Sequence, residues 1–315
     1  MCSMEVENKS LVLDVFLHGL TDDTELQPFI FGLFLCIYLI TISGNLLIML
    51  AINSDSHLHT PMYFFLCHLS FNDMYLISIT VPKMLLNIQI QDHRITFAGC
   101  VSQGCFVAVC TVFECFLLGV MAYDRYIAIC FPLRYTVLMS PCFCVILVLI
   151  SLLISIVNGL LHSLMILRLS FCTDLEIFHF FCEIAQILKL ACSDSLINNI
   201  LIFVTASIFA GVPLYGIIFS YAHIVSTVWK MPSSEGKYKA FSTCGSHLSV
   251  VSLFYGTGFG VYITSKVIDS PKKIAVASVM YSIIPPMTNP FVYSLRNRDM
   301  KEALKKVIGR TTSLL

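Results

Sequence analysis

Charged residues are scarce in this sequence. Only 12% of its 315 residues are charged and 57% are hydrophobic, whereas a soluble domain carries about 25% charged residues. A chain of this length can bury a core without so large an excess of apolar side chains, so the composition indicates that lipid surrounds most of its surface. The 19 basic and 19 acidic residues cancel, which argues against a nucleic-acid partner.

Sequence motifs of enzymes and metal sites are lacking as well. The chain has no HExxH, no GxSxG in a strand–turn–helix context, no Walker loop and no GxGxxG. Residues 256–260 superficially resemble a glycine loop, but they lie in an apolar stretch, where close packing of small residues in a membrane is the better interpretation. The nine histidines, which include His57, His59 and His68, show no spacing typical of metal ligands. We therefore expect no enzymatic activity, no cofactor and no metal.

Basic residues are nearly absent from the N-terminal segment, residues 1–27, where Lys9 stands against six acidic side chains. A signal peptide needs a basic start followed by a short apolar run. The first apolar run begins near Pro28 and is too long for that role. We therefore predict a retained first membrane helix, preceded by an extracellular segment over residues 1–27.

Seven stretches are apolar over the roughly 20 residues that a membrane-spanning helix needs. They cover approximately residues 28–52, 60–82, 98–122, 142–167, 196–228, 240–264 and 273–294. Pro285, Pro286 and Pro290 interrupt the seventh, so a count of six is the alternative; prolines are tolerated where neighbouring groups re-satisfy the freed carbonyls. The sequence predicts an all-α membrane protein with a seven-transmembrane helix bundle over residues 28–294 and a cytoplasmic tail over residues 295–315.

The distribution of basic residues predicts the orientation of these helices. Six Lys and Arg residues follow the seventh stretch, and Lys230, Lys237 and Lys239 lie between the fifth and the sixth. Because basic loops stay in the cytosol, we expect the C-terminus inside and, with an odd number of helices, the N-terminus outside. The glycosylation sequon at Asn8 agrees, since it can be used only in the lumen.

On the side of the membrane that the orientation makes oxidising, four of the fourteen cysteines lie at the outer end of the third stretch or in the loop after the fourth. Cys100 lies at the outer end of the third stretch, and Cys172, Cys182 and Cys192 lie in the loop after the fourth. Four such cysteines indicate two disulfides, for which three pairings are possible.

The C-terminal tail carries an amphipathic pattern. Its apolar residues recur at helical spacing, with Lys and Arg on the opposite face: Met300, Ala303, Leu304, Val307 and Ile308. This pattern predicts a short helix that lies on the inner membrane surface. A solvated tail is the alternative.

Two carboxylates, Asp73 and Glu114, fall near the middle of predicted membrane helices. A charge there costs at least a few kcal/mol, so such residues are rare and usually functional. One interpretation is that both face the bundle interior and share a cation, a proton or a water network, with one carboxyl protonated because two nearby charges repel. The alternative is that they hydrogen-bond Asn45, Asn289 and other polar groups and serve packing alone.

Intramembrane carboxylates and proline-broken helices also suit a transporter of a small solute. Transporters are commonly built from repeats, with interrupted helices at corresponding positions of two halves. The sequence shows neither an internal repeat nor such a pair of interrupted stretches. A transporter is therefore the alternative class.

Several longer motifs are spread over nearly the whole chain. They are Gly44-Asn45, PMYFFLCHLSFND at 61–73, MAYDRYIAIC at 121–130 followed by PLRY at 132–135, Ser220-Tyr221, KAFSTCGSHL at 239–248 and PMTNPFVYSLRN at 286–297. Together they resemble rhodopsin-like G-protein-coupled receptors, and specifically mammalian odorant receptors of the tetrapod-type class. Departures from that pattern are small: Gly245 stands where serine or cysteine is common, and Thr288 where leucine is common.

The resemblance implies roles for particular residues. Cys100 would pair with Cys182, and Cys172 with Cys192. A switch at the G-protein face would consist of Asp124, Arg125, Tyr126, Tyr221 and Tyr293. A polar core would consist of Asn45, Asp73, Glu114 and Asn289. Composition alone leaves another interpretation of Arg125 open, that of a long side chain reaching the membrane surface.

The resemblance also implies a ligand pocket between the third, fifth, sixth and seventh helices. Its walls would be Val107, Ala108, Thr111, Val112, Thr205, Phe209, Tyr255, Gly258 and Tyr262. Such a mostly apolar site suits a small neutral molecule that Thr111, Thr205 or Tyr262 would hydrogen-bond; the alternative for Thr111 is a bond to its own helix. The expected protein is a plasma-membrane odorant receptor that activates a stimulatory heterotrimeric G protein and raises cAMP.

Overall fold

The computed structural model describes residues 14–20, 23, 25–171, 175–267, 271–296 and 298–312. Helices dominate this part of the chain. Five segments are long and apolar enough to cross a membrane: α1 (Gln27–Ser54), α2 (Pro61–Ile90), α3 (Phe97–Cys130), α5 (Pro141–Ile166) and Leu196–Trp229. The last segment divides into α7 (Leu196–Phe209) and α8 (Gly211–Trp229).

Shorter or more polar helices make up the rest. They are α4 (Tyr135–Leu138), α6 (Ile184–Leu188), α9 (Ser234–Val267), α10 (Pro271–Ser282), α11 (Ile284–Arg296) and α12 (Arg298–Thr312), with 3-10 turns at Ser56–Leu58 and Pro132–Arg134. The predicted sixth stretch lies in α9, and the predicted seventh lies across α10 and α11. Neither α9 nor α10 is among the five apolar segments, and α10, with 12 residues, is too short to cross a membrane by itself.

The predicted and observed ends of two helices differ. The second predicted stretch stopped at Pro82, but α2 continues to Ile90 with Pro82 in its interior. The third stopped at residue 122, but α3 continues through the polar residues of the switch to Cys130. Both predictions ended where apolarity ends, although helical hydrogen bonding continues beyond that point.

A proline explains the break between α7 and α8. Pro213 cannot donate to the carbonyl of Phe209, and its ring clashes with that carbonyl, so the helix is interrupted at Ala210. The Tyr255 hydroxyl donates to the Ala210 carbonyl oxygen across 3.3 Å. Gly119 of α3 makes room for the proline, because a Cβ at that position would lie 3.2 Å from Pro213 Cβ.

The carbonyl that Pro290 frees is satisfied by a neighbouring helix. Pro290 lies inside α11 and leaves the Pro286 carbonyl without its helical donor. The Asn45 side chain of α1 donates to that oxygen at 3.1 Å and to the Thr41 carbonyl at 3.0 Å. The preceding Gly44 permits the approach, since a Cβ there would lie 3.1 Å from Pro290 Cβ. The Gly44-Asn45 pair therefore joins α1 to the broken helix.

A small sheet caps one end of the helices, which we call the sheet end. Its strands are β1 (Asp14–Leu17), β2 (Arg94–Thr96) and β3 (Glu176–Ile177), in the order β2-β1-β3. β1 pairs antiparallel with β2 and parallel with β3. Val15 and Leu17 are buried beneath it. The N-terminal segment is thus the central strand between two loops. We call the opposite end of the helices the α12 end.

Candidate functional site

Arg125 lies near the last turns of α3, at the α12 end, in contact with its neighbour Asp124. Its Nε donates to Asp124 Oδ2 at 3.0 Å, and its Nη2 bonds the same oxygen. The second oxygen, Oδ1, accepts from the Tyr135 hydroxyl at 2.7 Å. Burial and the Asp124 carboxylate raise the pKa of Tyr135 above its ordinary value, so this phenol stays a donor. Both oxygens of the fully buried Asp124 are engaged, and Arg125 is held along its own helix.

The other three switch residues do not join this ion pair. The ring of Tyr126 contacts Phe131, Phe219 and His223, with centroids 5.6–6.3 Å away. Tyr293 is buried, and its hydroxyl has no hydrogen-bond partner among the residues that the structure describes. Tyr221 bonds His247 instead, across 2.8 Å.

His247 is a functional candidate that the sequence analysis did not assign, although it lies within the motif at 239–248. Its Nε2 lies 3.1 Å from the Leu118 carbonyl oxygen, which can only accept, so Nε2 carries the proton. In the neutral ring Nδ1 is then the acceptor, and the Tyr221 hydroxyl donates to it. This fully buried side chain therefore links α9 to both α3 and α8. An isolated histidine in an apolar helix was the only signal that could have revealed it.

The polar core residues lie buried between α1, α2, α3 and α11. The Asn289 amide donates to Asp73 Oδ2 at 2.9 Å. Glu114 lies close enough to Asp73 for their charges to interact. Four buried oxygens have no donor within the described part of the chain: Asn45 Oδ1, Asp73 Oδ1, Glu114 Oε1 and Asn289 Oδ1. All four are acceptors, so the donors that this cluster needs are protons, water or a cation.

Two predicted pocket walls on α3 pack in clusters with residues of the long loop between α5 and α7, which contains α6. Val107 packs in one buried cluster with Phe180 and Phe181. Ala108 packs against a second cluster, which contains Ile184 and Ile187 of the same loop. The loop therefore covers the sheet-end side of the predicted pocket.

Tyr281 of α10 lies among further predicted walls, and sequence reasoning missed it. Its side chain lies close to Thr111 of α3. A Cβ on Gly258 would lie 3.3 Å from the Tyr281 ring, so the absence of a side chain at Gly258 lets the ring pack closely against α9. Thr111 and Gly258 are thus brought together by an aromatic residue from a third helix.

The remaining predicted walls are more dispersed. The Thr205 hydroxyl donates to the Leu201 carbonyl at 2.9 Å and accepts from His162 at 2.9 Å. Phe209 lies against Phe116, with ring centroids 6.0 Å apart. Val112 is half-buried on α3. The side chain of Tyr262 lies outside the described residues.

One of the two disulfides implied by the resemblance is present. Cys100 and Cys182 are bonded, with their Cα atoms 5.3 Å apart, and the bond joins the start of α3 to the loop that precedes α6. Cys192 is also disulfide-bonded. Cys172 and the sequon at Asn8 lie outside the described residues, so the pairing of Cys172 with Cys192 and the glycosylation stay predictions.

Known proteins are similar in sequence to this chain over nearly its full length. The sequence model of the olfactory receptor family matches residues 34–311. Human olfactory receptor 7G2 is 64% identical over 99% of this chain and 96% of its own length. Human olfactory receptor 7G3 is 59% identical, and human olfactory receptor 7D4 is 56% identical, each over 98% of this chain and 99% of its own length. The chain belongs to the olfactory receptor family, a family of receptors rather than enzymes.

Proposed function

We propose that this receptor binds small neutral volatile molecules within a seven-transmembrane bundle and activates a stimulatory heterotrimeric G protein, which raises cAMP. The observation that carries the proposal is the buried contact of Arg125 with Asp124 in a chain that belongs to the olfactory receptor family. A carboxylate engaged by both Arg125 and Tyr135 is the kind of contact that a conformational change can release.

The five apolar segments, α9 and the α10–α11 pair make up the seven spans. The sheet end faces the outside, and the tail with α12 lies in the cytosol, because the disulfide requires an oxidising compartment and basic residues cluster at the α12 end. On α12, Met300 and Ala303 are buried while Lys301 and Lys305 are exposed. That arrangement supports an interfacial helix packed beneath the bundle.

Activation is a population shift in which the ligand binds an open arrangement more tightly. Outward movement of α9 requires His247 to leave the Leu118 carbonyl and the Tyr221 hydroxyl. Tyr221 is then free to turn toward Arg125, and the buried Tyr293 hydroxyl gains a partner at the same cleft. The cleft that opens at the α12 end receives the G protein.

The ligand pocket favours neutral molecules with one polar atom. The nine predicted walls carry no acid or amine, and burying an unpaired charge among them costs several kcal/mol. Thr111 and its neighbour Tyr281 supply hydroxyls from two helices. A ligand of about ten heavy atoms binds modestly, because even the best small ligands gain only about 1.5 kcal/mol per atom.

The test is the Arg125→Ala variant in cells with a cAMP reporter and a broad panel of volatile compounds. We expect the variant to reach the surface, because Arg125 bonds its own helix, and to give no cAMP response to any compound that activates the unchanged receptor. Arg134→Ala, which removes a guanidinium from the neighbouring exposed turn, is the control.

A surface-expressed Arg125→Ala variant that signals normally would contradict the proposal. Uptake of a labelled solute into vesicles without any G protein would support the transporter instead. Agonists that are mainly carboxylates or protonated amines would show that the pocket is assigned wrongly while leaving the receptor class intact.

A further inference from the structure

Gln103 lies one turn after Cys100 on α3, and its amide connects two other parts of the chain. Its Nε2 donates to the Ile79 carbonyl of α2 at 2.8 Å. Its Oε1 accepts from the backbone N–H of Cys182 at 2.7 Å. The side chain is only 7% exposed, so water does not compete for these two bonds.

The bond to Cys182 adds a constraint that the disulfide lacks. The Cys100–Cys182 bridge fixes one side chain and leaves the loop backbone free to rotate about it. Gln103 bonds the backbone of that same cysteine and comes from the same face of α3, three residues after Cys100. The two attachments together fix the direction in which the chain enters and leaves Cys182.

The other hydrogen bond of the Gln103 amide ends on α2, next to a turn that a proline interrupts. Ile79 follows Ser78, whose carbonyl has no helical donor because Pro82 lacks an N–H. A donor from α3 at 2.8 Å supports the neighbouring Ile79 carbonyl. Gln103 therefore couples α2 to the loop through a single amide group.

The segment fixed in this way is the one that covers the predicted pocket. Phe180 and Phe181, on one side of Cys182, pack in a cluster with Val107. On the other side, Ile184 and Ile187 approach α3 so closely that a Cβ on Gly104 would lie 3.3 Å from Ile187 Cδ1.

We propose that Gln103 is a positioning residue that holds residues 180–188 over the ligand pocket and so sets ligand affinity without contacting the ligand. The structural part of this inference, the placement of the loop, stands on the geometry above. The part that concerns affinity rests on the proposed function.

Hydrogen–deuterium exchange of the purified full-length receptor tests the placement. Gln103→Met keeps the length of the side chain and removes both bonds. Gln186→Met makes the same chemical change in α6, where the structure describes no side-chain hydrogen bond. We expect exchange of the amides of residues 180–184 to be at least tenfold faster in Gln103→Met and unchanged in Gln186→Met. Exchange within twofold of the unchanged receptor in Gln103→Met would overturn the proposal.

A second variant covers the case in which Gln103→Met does not fold. Gln103→Asn keeps the amide but is one carbon shorter, so it cannot reach the Ile79 carbonyl and the Cys182 N–H together. Faster exchange over residues 180–184 supports the proposal, and exchange at the original rate overturns it. Peptide mapping under non-reducing conditions checks that Cys100–Cys182 remains closed in each variant.

The functional arm uses the neutral ketone or alcohol with the lowest EC50 on the unchanged receptor. We expect Gln103→Asn to raise that EC50 about tenfold with the same maximal cAMP, because the switch at the other end is intact. An unchanged EC50 beside faster exchange would overturn the role in affinity. A receptor that answers no volatile compound would refute the proposed function and leave the exchange result standing.

Discussion

The two ends of the helices are held by different kinds of bond. At the sheet end, a disulfide joins α3 to the loop before α6, and backbone bonds of 2.8 Å tie Phe16 and His18 of the N-terminal segment to that loop. At the α12 end, side-chain pairs link the elements: Tyr135 with Asp124, Tyr221 with His247, and Lys306 with Asp55. Covalent and strand bonds keep their partners, whereas side-chain bonds can exchange partners at small cost.

The energies of these bonds explain what each end is suited to do. A disulfide typically contributes about 2–4 kcal/mol, whereas a single hydrogen bond contributes about 0.5–1.5 kcal/mol net. A ligand of roughly ten heavy atoms can bind the active arrangement more tightly than the inactive one by a few kcal/mol, and this difference sets the size of the population shift. That amount can rearrange two or three bonds at the α12 end but cannot rebuild the sheet end. In the proposed mechanism, the ligand-facing side therefore keeps its shape and the signalling side moves.

Removal of the disulfide should have the largest effect. Cys100→Ser leaves the loop without its covalent attachment, which we expect to cost about 2–4 kcal/mol and to reduce surface expression to near background. Cell-surface labelling with an extracellular tag measures it. The control is Cys142→Ser. Cys142 is an exposed free cysteine at the start of α5, and this variant should be expressed normally. Normal expression of Cys100→Ser would show that the strands and Gln103 suffice to hold the sheet end.

Loss of the His247 link should have an intermediate effect, at the opposite end. His247→Phe removes two hydrogen bonds, about 1–3 kcal/mol in total, that restrain α9 in the closed arrangement. We expect normal surface expression and a several-fold rise in cAMP without any odorant. His59→Phe changes an exposed histidine just before α2 in the same way and should leave basal cAMP unchanged. If basal cAMP in His247→Phe were lower than in the unchanged receptor, the His247 hydrogen bonds would instead stabilise the active arrangement.

The two ends also differ in how far the sequence predicted them. The apolar runs predicted the positions of the long helices to within a few residues at most ends. The prolines of the seventh stretch indicated that neighbouring groups must satisfy freed carbonyls, and Asn45 is such a group. β1 could not be predicted, because four residues carry little periodicity and its partners lie about 80 and 160 residues away in the sequence. The pairing of Cys100 with Cys182 came from the family resemblance, since spacing alone left three possibilities.

Site residues that depend on contacts between helices were the hardest to predict. Tyr281 and Gln103 act through groups outside their own helices, and their sequence surroundings do not mark them. His247 stands out only as an isolated histidine in an apolar helix. Thr205 was expected to face a ligand, but its hydroxyl is engaged by His162 and by its own helix. The Asp124–Arg125 contact needed no tertiary information, because the two residues are adjacent.

A buried histidine at the sheet end offers the mildest test of how firmly that end is held. His179 is fully buried, its ring contacts those of Phe180 and Phe181, and burial lowers its pKa to about 3. Its Nδ1 accepts from the Phe181 N–H at 3.4 Å. Burial raises the pKa of nearby Glu183, and the charge of Lys189 partly offsets this rise. Acidification therefore favours the closed loop at Glu183, whereas it disfavours the closed loop at His179. The contribution of His179 therefore has to be isolated by substitution.

Acidification should loosen the loop through His179. An opened loop exposes the ring, whose ordinary pKa is about 6.5, so below that pH the open form binds a proton that the closed form does not. Stability of the closed loop is then nearly complete above pH 6.5 and falls as the pH drops toward 3, by about 1.4 kcal/mol at roughly pH 5.5. We expect amide exchange over residues 178–184, corrected for the intrinsic pH dependence, to be about tenfold faster at about pH 5.5 than at about pH 7.5 in the unchanged receptor. The His179→Phe variant should lose most of that difference, because a phenylalanine fills the same space and takes up no proton. An equal pH dependence in both proteins would mean that His179 stays enclosed when the loop opens, and the sheet end would then be held more firmly than its bonds indicate.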